Sequence, residues 1–362
     1  MTSRRTPPVL VVRAVEALRA RVERLHRALV PGNIALLDLG TGAWVTQMLY
    51  VAASLGIPDQ LSDGPRTSLD VARAVGSDPD ATDRLMRALV GRGVLRQRRD
   101  GTFALTRIGE ALRSGTEGSL RDMILFGAHP ARWQDWGNLL HSVRTGQTAT
   151  LKLRGMTFFS YLETDPQLAA TFNDAMTSMS ALTNDAVAAA GDFSGSQVIV
   201  DVGGGLGSFL TSILDQNPTA RGVLYDLEPV ITKARPALAA TRAGGRCTAE
   251  AGSFFDAVPA GADTYLLRNI IHDWDDDEAL RILQNVRAAV VDGGRVLIVE
   301  MVLPRMASTH FAELLNLEML VAVGGRERTE AQYADLLART GFRLDRVIPT
   351  ASPMSIIAAT AV

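Results

Sequence analysis

The stretch LLRNIIHDWDDDEALRIL, residues 266–283, runs from an apolar strand into His272 at the point where the strand stops. An imidazole, with an ordinary pKa near 6.5, is the side chain best suited to take a proton at neutral pH. Two carboxylates can converge on it: Glu300 ends the next strand, VLIVE, and Glu327 lies in the Gly-rich stretch GGRERTE. Carboxylates beside an imidazole fix its tautomer and favour its protonated form, the arrangement of a base with its orienting groups. The adjacent acidic run has a sufficient structural cause, since Asp275 with Glu278 three residues on reads as a helix capping box. His272 has no such cause, and His26, His129, His141 and His310 stand in no comparable motif.

A base of this kind serves a hydroxyl nucleophile. A phenol of pKa about 10 is roughly three units from ionised at neutral pH, which costs about 4 kcal/mol if the phenolate must form first. An imidazole that takes the proton as the oxygen attacks removes that requirement. The chain has no paired-His motif and no acidic cluster with metal-ligand spacing, so no metal is expected.

A second constellation precedes this one. VIVDVGGGLGSFLTSIL reads as a strand, a glycine turn and the start of a helix, which together turn backbone N–H groups toward a ligand. The dinucleotide fingerprint needs Gly at its first, third and sixth positions, but the sixth position counted from Gly203 is Ser208, and from Gly205 it is Leu210. The pattern is instead Gly203, Gly205 and Gly207 with Asp201 ahead of them, which disfavours a pyrophosphate. Asp226 closes the following strand in VLYDLEPV, where a carboxylate suits the two hydroxyls of a ribose and not a phosphate. A nucleoside without a phosphate chain is the expected ligand, and S-adenosylmethionine fits.

The elements that must position these residues follow from hydrophobic period. From Val198 the chain alternates strand and helix through VIVDVG, FLTSILDQ, GVLYDL, PVITKARPALAAT, DTYLLR, DEALRILQNVRAAV and RVLIVEM. Near-continuous apolar strands demand a parallel sheet covered on both faces. The last two strands, FRLDRVIP and SIIAATAV, are separated only by TASPM and should pair antiparallel at an edge. Upstream, VVRAVEALRARVERLHRALV reads as a helix ending at Pro31–Gly32, with a second in AWVTQMLYVAASLGI. SLDVARAVG, DPDATDRLMRALVGRGV and LRQRRDGTFALT read as helix, helix and hairpin, a winged helix. Three segments result: a helical and winged-helix domain over 1–112, a helical connector over 113–190 set off by the Gly-rich break AAAGDFSGSQ, and an α/β domain over 191–362.

Composition narrows the function classes. With 37 basic and 39 acidic residues the chain has no global field for nucleic acid or an anionic membrane. Residues 66–113 hold ten Arg against six acids, a modest excess that a scaffold or dimerisation module accommodates as well as a DNA reader. Cys247 is the single cysteine, which excludes an intramolecular disulfide and fits a reduced, cytoplasmic setting. The early apolar run VLVV stops at Arg13, too short for a signal segment or a membrane span, so a soluble protein is expected.

In this order, VDVGGGLG, YDLEPV, GSFFDAVPAGADTYLLRNIIHDWDDDEALRIL and GGRERTE resemble the class I S-adenosylmethionine-dependent O-methyltransferases, typified by plant caffeic acid and bacterial polyketide or carotenoid enzymes. The likeness runs from about Leu36 to the end. It implies a Rossmann-like methyltransferase domain with an antiparallel C-terminal edge strand, preceded by a mostly helical winged-helix domain through which the family forms homodimers. It further implies that Gly203, Gly205 and Gly207 pass the cofactor's methionine part and that Asp226, with Leu227 beside it, holds the ribose. Ser253 and Phe254 would flank adenine, and Arg268 would meet a cofactor carbonyl or carboxylate. His272 would be the general base, flanked by Glu300 and Glu327, and S-adenosylhomocysteine the by-product. The family more often carries Asp at Ser253, Lys at Arg268 and Asp at Asn316.

Phe172, Met176 and Met179 share one helix face by spacing, a pattern that by itself reads as core. In the similar enzymes this helix faces the acceptor. On the same ground Trp133, Asp273, Asn316 and Met319 are expected at the substrate, a lining suited to a flat aromatic or a polyene alcohol. The expected function is methyl transfer to a hydroxyl of such a small natural product, without nucleic acid or membrane as partner. Two readings stand beside it: a relative that keeps the cofactor but decarboxylates or hydroxylates, and a winged-helix DNA-binding regulator.

Overall fold

Inner strands buried on both faces account for the architecture of the C-terminal half. The computed structural model describes residues 7–307 and 311–362, so His310 lies outside the described residues. The strands are β1 (Leu95–Gln97), β2 (Phe103–Leu105), β3 (Val198–Val202), β4 (Arg221–Asp226), β5 (Cys247–Ala251), β6 (Thr264–Arg268), β7 (Arg295–Glu300), β8 (Val302–Leu303), β9 (Arg328–Thr329), β10 (Phe342–Pro349) and β11 (Ser355–Ala361). Seven of them form one sheet in the order β10-β11-β7-β6-β3-β4-β5. The inner pairs β6–β7, β3–β6, β3–β4 and β4–β5 are parallel, while β11 runs antiparallel to both β7 and β10.

Side chains on successive residues go to opposite faces, and each face has its own core. Val200, Val202, Tyr265, Leu267, Val296 and Ile298 pack with Leu283 and Val286 of the helix Asp276–Ala289 and with Tyr333 and Leu337 of the helix Glu330–Arg339. Ile199, Leu266, Leu297 and Val299 pack on the other side with Leu210 and Ile213 of the helix Ser208–Gln216 and with Ile231 of the helix Glu228–Ala239.

Two pairings escape hydrophobic period. The edge strand β5 reads CTAEA, with no apolar run and mostly exposed residues, yet it pairs with β4 from Cys247 opposite Gly222 to Ala251 opposite Asp226. The short parallel pair β8–β9 joins Val302 to Arg328 and Leu303 to Thr329.

The described chain divides into two compact units: residues up to Ala20 with Asn138–Tyr161 and Thr183–Val362, and Arg21–Gly137 with Leu162–Leu182. The connector 113–190 thus contributes to both. In the second unit the helices Ser68–Val75 and Pro79–Gly91 are capped by Thr67 and Asp78 and are followed by the antiparallel hairpin β1–β2, in the expected order. Val71, Met86, Leu89, Leu95 and Phe103 form its core.

The N-terminal helices are different. Val9–Ala28 and the helix Gly32–Gly40, which periodicity had not separated from its surroundings, bury none of their residues. Gly42–Ser54 buries only Ala52 and Ala53. Gly32–Ser54 is, by length and composition alone, apolar enough to cross a membrane.

Candidate active site

The parallel register sets the positions of the functional groups. Val202 lies opposite Tyr225 on one side and Leu267 on the other, and Arg268 lies opposite Val299. Asp226, Arg268 and Glu300 therefore each stand at the carboxyl end of a strand, where ligands of open α/β sheets are held.

At the end of β3 the chain turns through Gly203, Gly205 and Gly207, all with positive φ. A Cβ on Gly203 would stand 2.4 Å from the Ile270 side chain, so this position needs glycine for space as well as conformation. Around Gly205 the space is open, and its N–H donates to Asp226 Oδ2 at 2.8 Å. Asp226 Oδ1 accepts from the Leu227 N–H at 2.7 Å. Each oxygen keeps a further lone pair, the acceptor set that two ribose hydroxyls require. Burial raises the Asp226 pKa, against the two N–H donors that lower it. Leu227 is half exposed at the start of its helix.

Asp201 lies beneath the loop, buried, with Oδ2 lacking a hydrogen-bond partner among the described residues. Burial pushes its pKa up to about 7, with Arg268 opposing and Asp226 adding to the rise. An open glycine turn, an uncommitted carboxylate and a part-satisfied Asp226 fit a cationic amino-acid nucleoside. Arg268 is already engaged: its guanidinium donates to Asn184 Oδ1 and Thr183 Oγ1 and lies 4.6 Å over the Phe209 ring. Burial lowers its pKa to about 10, against the attraction of Asp201. Ser253 Oγ accepts from the Phe255 N–H at 3.2 Å, and Phe254 meets Phe255 and Trp274 with ring centroids 4.9 and 5.9 Å apart.

Past Arg268, Asn269 takes a left-handed conformation, φ 52°, which Asn tolerates better than most residues. The turn Ile271–Asp273 that follows carries His272. Its imidazole Nδ1 lies 2.6 Å from Glu327 Oε1, and Nε2 lies 3.5 Å from Asp273 Oδ1. Glu300 does not bond the ring, which corrects the expectation that both glutamates converge there. Its Oε1 instead accepts the N–H groups of Ile270 and His272, each at 3.1 Å, and Oε2 accepts the Tyr333 hydroxyl. One glutamate holds the ring and the other holds the backbone beneath it.

Burial works against charge on His272 and is the largest influence, yet Asp273, Glu327 and Glu300 outweigh it and raise the imidazole to about 10. Asp273 is raised to about 7 by burial, His272 partly offsetting that and the two glutamates adding to it.

Three supports of this cluster carry no signal in the sequence pattern. The Arg328 guanidinium is buried against the carbonyls of Ile271 and Trp274, each at 2.9 Å, and against Asp276 at 2.8 Å. Asn316, expected at the substrate, uses its Oδ1 to accept the Glu327 N–H at 3.0 Å. Gly325 passes so close that a Cβ there would stand 2.0 Å from the His272 carbonyl oxygen. Met319, likewise expected at the substrate, is buried at 7% exposure. Trp133, Phe172, Met176 and Met179 belong to the other compact unit, where Phe172 meets Phe126 edge-on at 5.3 Å and Trp133 is exposed.

Gly325→Ala is expected to cost about 1–3 kcal/mol of stability or more, because neither backbone can yield without moving the turn. Gly245→Ala, where a Cβ meets nothing within 4 Å, serves as the control. Urea midpoints that fall equally in the two variants would refute the contact.

The O-methyltransferase domain family matches residues 136–343, and the O-methyltransferase dimerisation domain matches residues 37–115. A phenazine O-methyltransferase of Lysobacter antibioticus is 40% identical over 330 residues, 91% of this chain and 96% of the relative. An 8-amino-8-demethylriboflavin N,N-dimethyltransferase of Streptomyces davaonensis is 37% identical over 317 residues, 86% and 91% of the two chains. Among solved structures, an O-methyltransferase from neocarzinostatin biosynthesis in complex with S-adenosylmethionine and 2-hydroxy-5-methyl naphthoic acid matches with TM-score 0.76 and 34% identity, covering 88% of this chain and 96% of its own. With both family domains matched in order and the glycine turn and strand-exit histidine at the same sheet edge, the chain belongs to the class I S-adenosylmethionine-dependent O-methyltransferases.

Proposed function

We propose that the enzyme methylates a hydroxyl of a small aromatic natural product, a polyene alcohol being the other acceptor its side chains suit, with His272 as general base. The observation that carries this reading is the buried imidazole at the exit of β6, with Nδ1 on Glu327 and Nε2 on the opposite side of the ring. Glu327 accepts the Nδ1–H and so assigns Nε2 as the proton acceptor. When bound, S-adenosylmethionine supplies a methyl group already activated by its sulfonium. The work left to the chain is to align the acceptor oxygen, take its proton and exclude water. Asp226 takes the ribose, the turn Gly203–Gly207 the methionine part, and Ser253 and Phe254 the adenine. Asp273, beside the imidazole Nε2, serves the acceptor. Asn316 and Met319, one holding Glu327 and the other buried, contribute to it mainly by support.

A histidine raised to about 10 stands close to a phenol in proton affinity. Transfer between them is near balance, and the same adduct is reached whether phenol meets imidazole or phenolate meets imidazolium. The relatives methylate both oxygen and nitrogen, and an arylamine acceptor would need less help from the base.

Incubation with labelled cofactor and a panel of 1-hydroxyphenazine, 2-naphthol, hydroxynaphthoates and carotenoid alcohols is expected to give a product heavier by one methyl group. His272→Ala should lower kcat at least a hundredfold while cofactor affinity changes less than threefold; an undiminished rate removes His272 from this role, and a product without the added methyl removes the reaction.

Because the His272 pKa is raised, its proton-accepting fraction grows with pH, and kcat/KM should climb about tenfold per pH unit above neutrality. Glu327→Gln deletes one of the carboxylates that raise it, so the break should move to lower pH. A profile flat from about pH 7 to 9 argues against the base.

We further propose that a second copy of the chain covers the N-terminal helices, where Leu18, Leu25, Leu36, Leu37 and Trp44 are exposed. The match to a dimerisation domain supports this. Light scattering should give twice the chain mass, and Trp44→Glu should shift the protein toward the monomer; a wild-type monomer at micromolar concentration rejects it.

A further inference from the structure

Between the strand exit and the helix Asp276–Ala289, the backbone of residues 270–274 is gripped from two sides by opposite charges. From one side Glu300 accepts the N–H groups of Ile270 and His272. From the other, Arg328 Nη1 donates to the Ile271 carbonyl and Nη2 to the Trp274 carbonyl, so its two bonds bracket His272 and Asp273. The guanidinium is itself fixed: Nε and Nη2 both reach Asp276 Oδ1, at 3.1 and 2.8 Å, in the first turn of the helix. Arg328 follows Glu327 directly, and β9 pairs with β8 just past Glu300, so the residue that holds the ring and the residue that holds its backbone move as one piece. Gly325 seals the third side against the His272 carbonyl.

We propose that Arg328 is a positioning residue for methyl transfer, setting the direction in which His272 faces the acceptor by fixing the turn that carries it. This rests on the assignment of His272 as base. A planar fork is needed because the two carbonyls and the carboxylate lie in different directions; an ammonium in its place loses the spread of donors. Asp276, half exposed, anchors that fork without touching the turn's imidazole.

The test uses the full-length protein with Arg328→Lys, Asp276→Asn and His272→Ala. A proton held between Nδ1 and Glu327 resonates far downfield in the NMR spectrum, and its disappearance in His272→Ala assigns it. Arg328→Lys is expected to bind S-adenosylhomocysteine within threefold of wild type by calorimetry, to lose or move that resonance, and to lower kcat at least tenfold with 2-naphthol. With 1-nitro-2-naphthol, which is already ionised near neutral pH, the loss should be under threefold. Asp276→Asn should show the same pattern at smaller size, and it keeps the proposal testable if Arg328→Lys does not fold. The proposal is overturned if the resonance is unchanged in both variants, or if kcat falls equally for the two naphthols. Should His272→Ala methylate 2-naphthol at the wild-type rate, the base assignment fails instead, a result the resonance of Arg328→Lys cannot mimic.

Discussion

Everything at this sheet edge depends on gathering ionisable groups out of water at the end of β6. His272, Glu300, Glu327 and Arg328 are at most 7% exposed. Burying charges is costly unless they are paired and hydrogen-bonded. Here the pairing is distributed: Glu327 to the imidazole, Glu300 to two amides and a tyrosine, Arg328 to two carbonyls and Asp276. Withdrawing one partner from such a buried pair costs about 3–5 kcal/mol. Chemistry and stability at this edge are therefore not separable, and substitutions there need readouts that distinguish the two.

The sheet supplies what the cluster cannot supply for itself. Both faces are filled by period-two alternation, so a slip of one residue in β6 or β7 would exchange every side chain between cores. That rigidity delivers Arg268 and Glu300 to adjacent strand ends, and the same register places Asp226 one residue beyond the partner of Val202. The turn Gly203–Gly207 with Asp226 and the His272 cluster are thus tied to one ladder of backbone hydrogen bonds.

Much of this was legible from residues alone. The apolar runs of β3, β4, β6 and β7 announced a covered parallel sheet, and His272 stood out because nothing structural required an imidazole there. β5 was invisible because an edge strand with one half-covered face need not be apolar. The role of Glu300 was misjudged because position at a strand end does not say which way a carboxylate turns. Arg328 was passed over for a different reason: in a chain whose cations are nearly all arginine, one more between two glutamates carries no periodic or compositional signal, and its partners are main-chain carbonyls that any sequence possesses. Tyr333 likewise carries no signal of its own: it sits at a buried helix position, and its hydroxyl donates to Glu300.

The helix Val9–Ala28 raises a matter of thermodynamic accounting. The three clusters of the interior close within one chain, whereas these 20 residues draw nothing from them. A helix of that length with so little burial is marginal in water. If the proposed second copy covers it, binding that selects the ordered form stabilises it by mass action. Dilution, which leaves the sheet untouched, would loosen this end of the protein first.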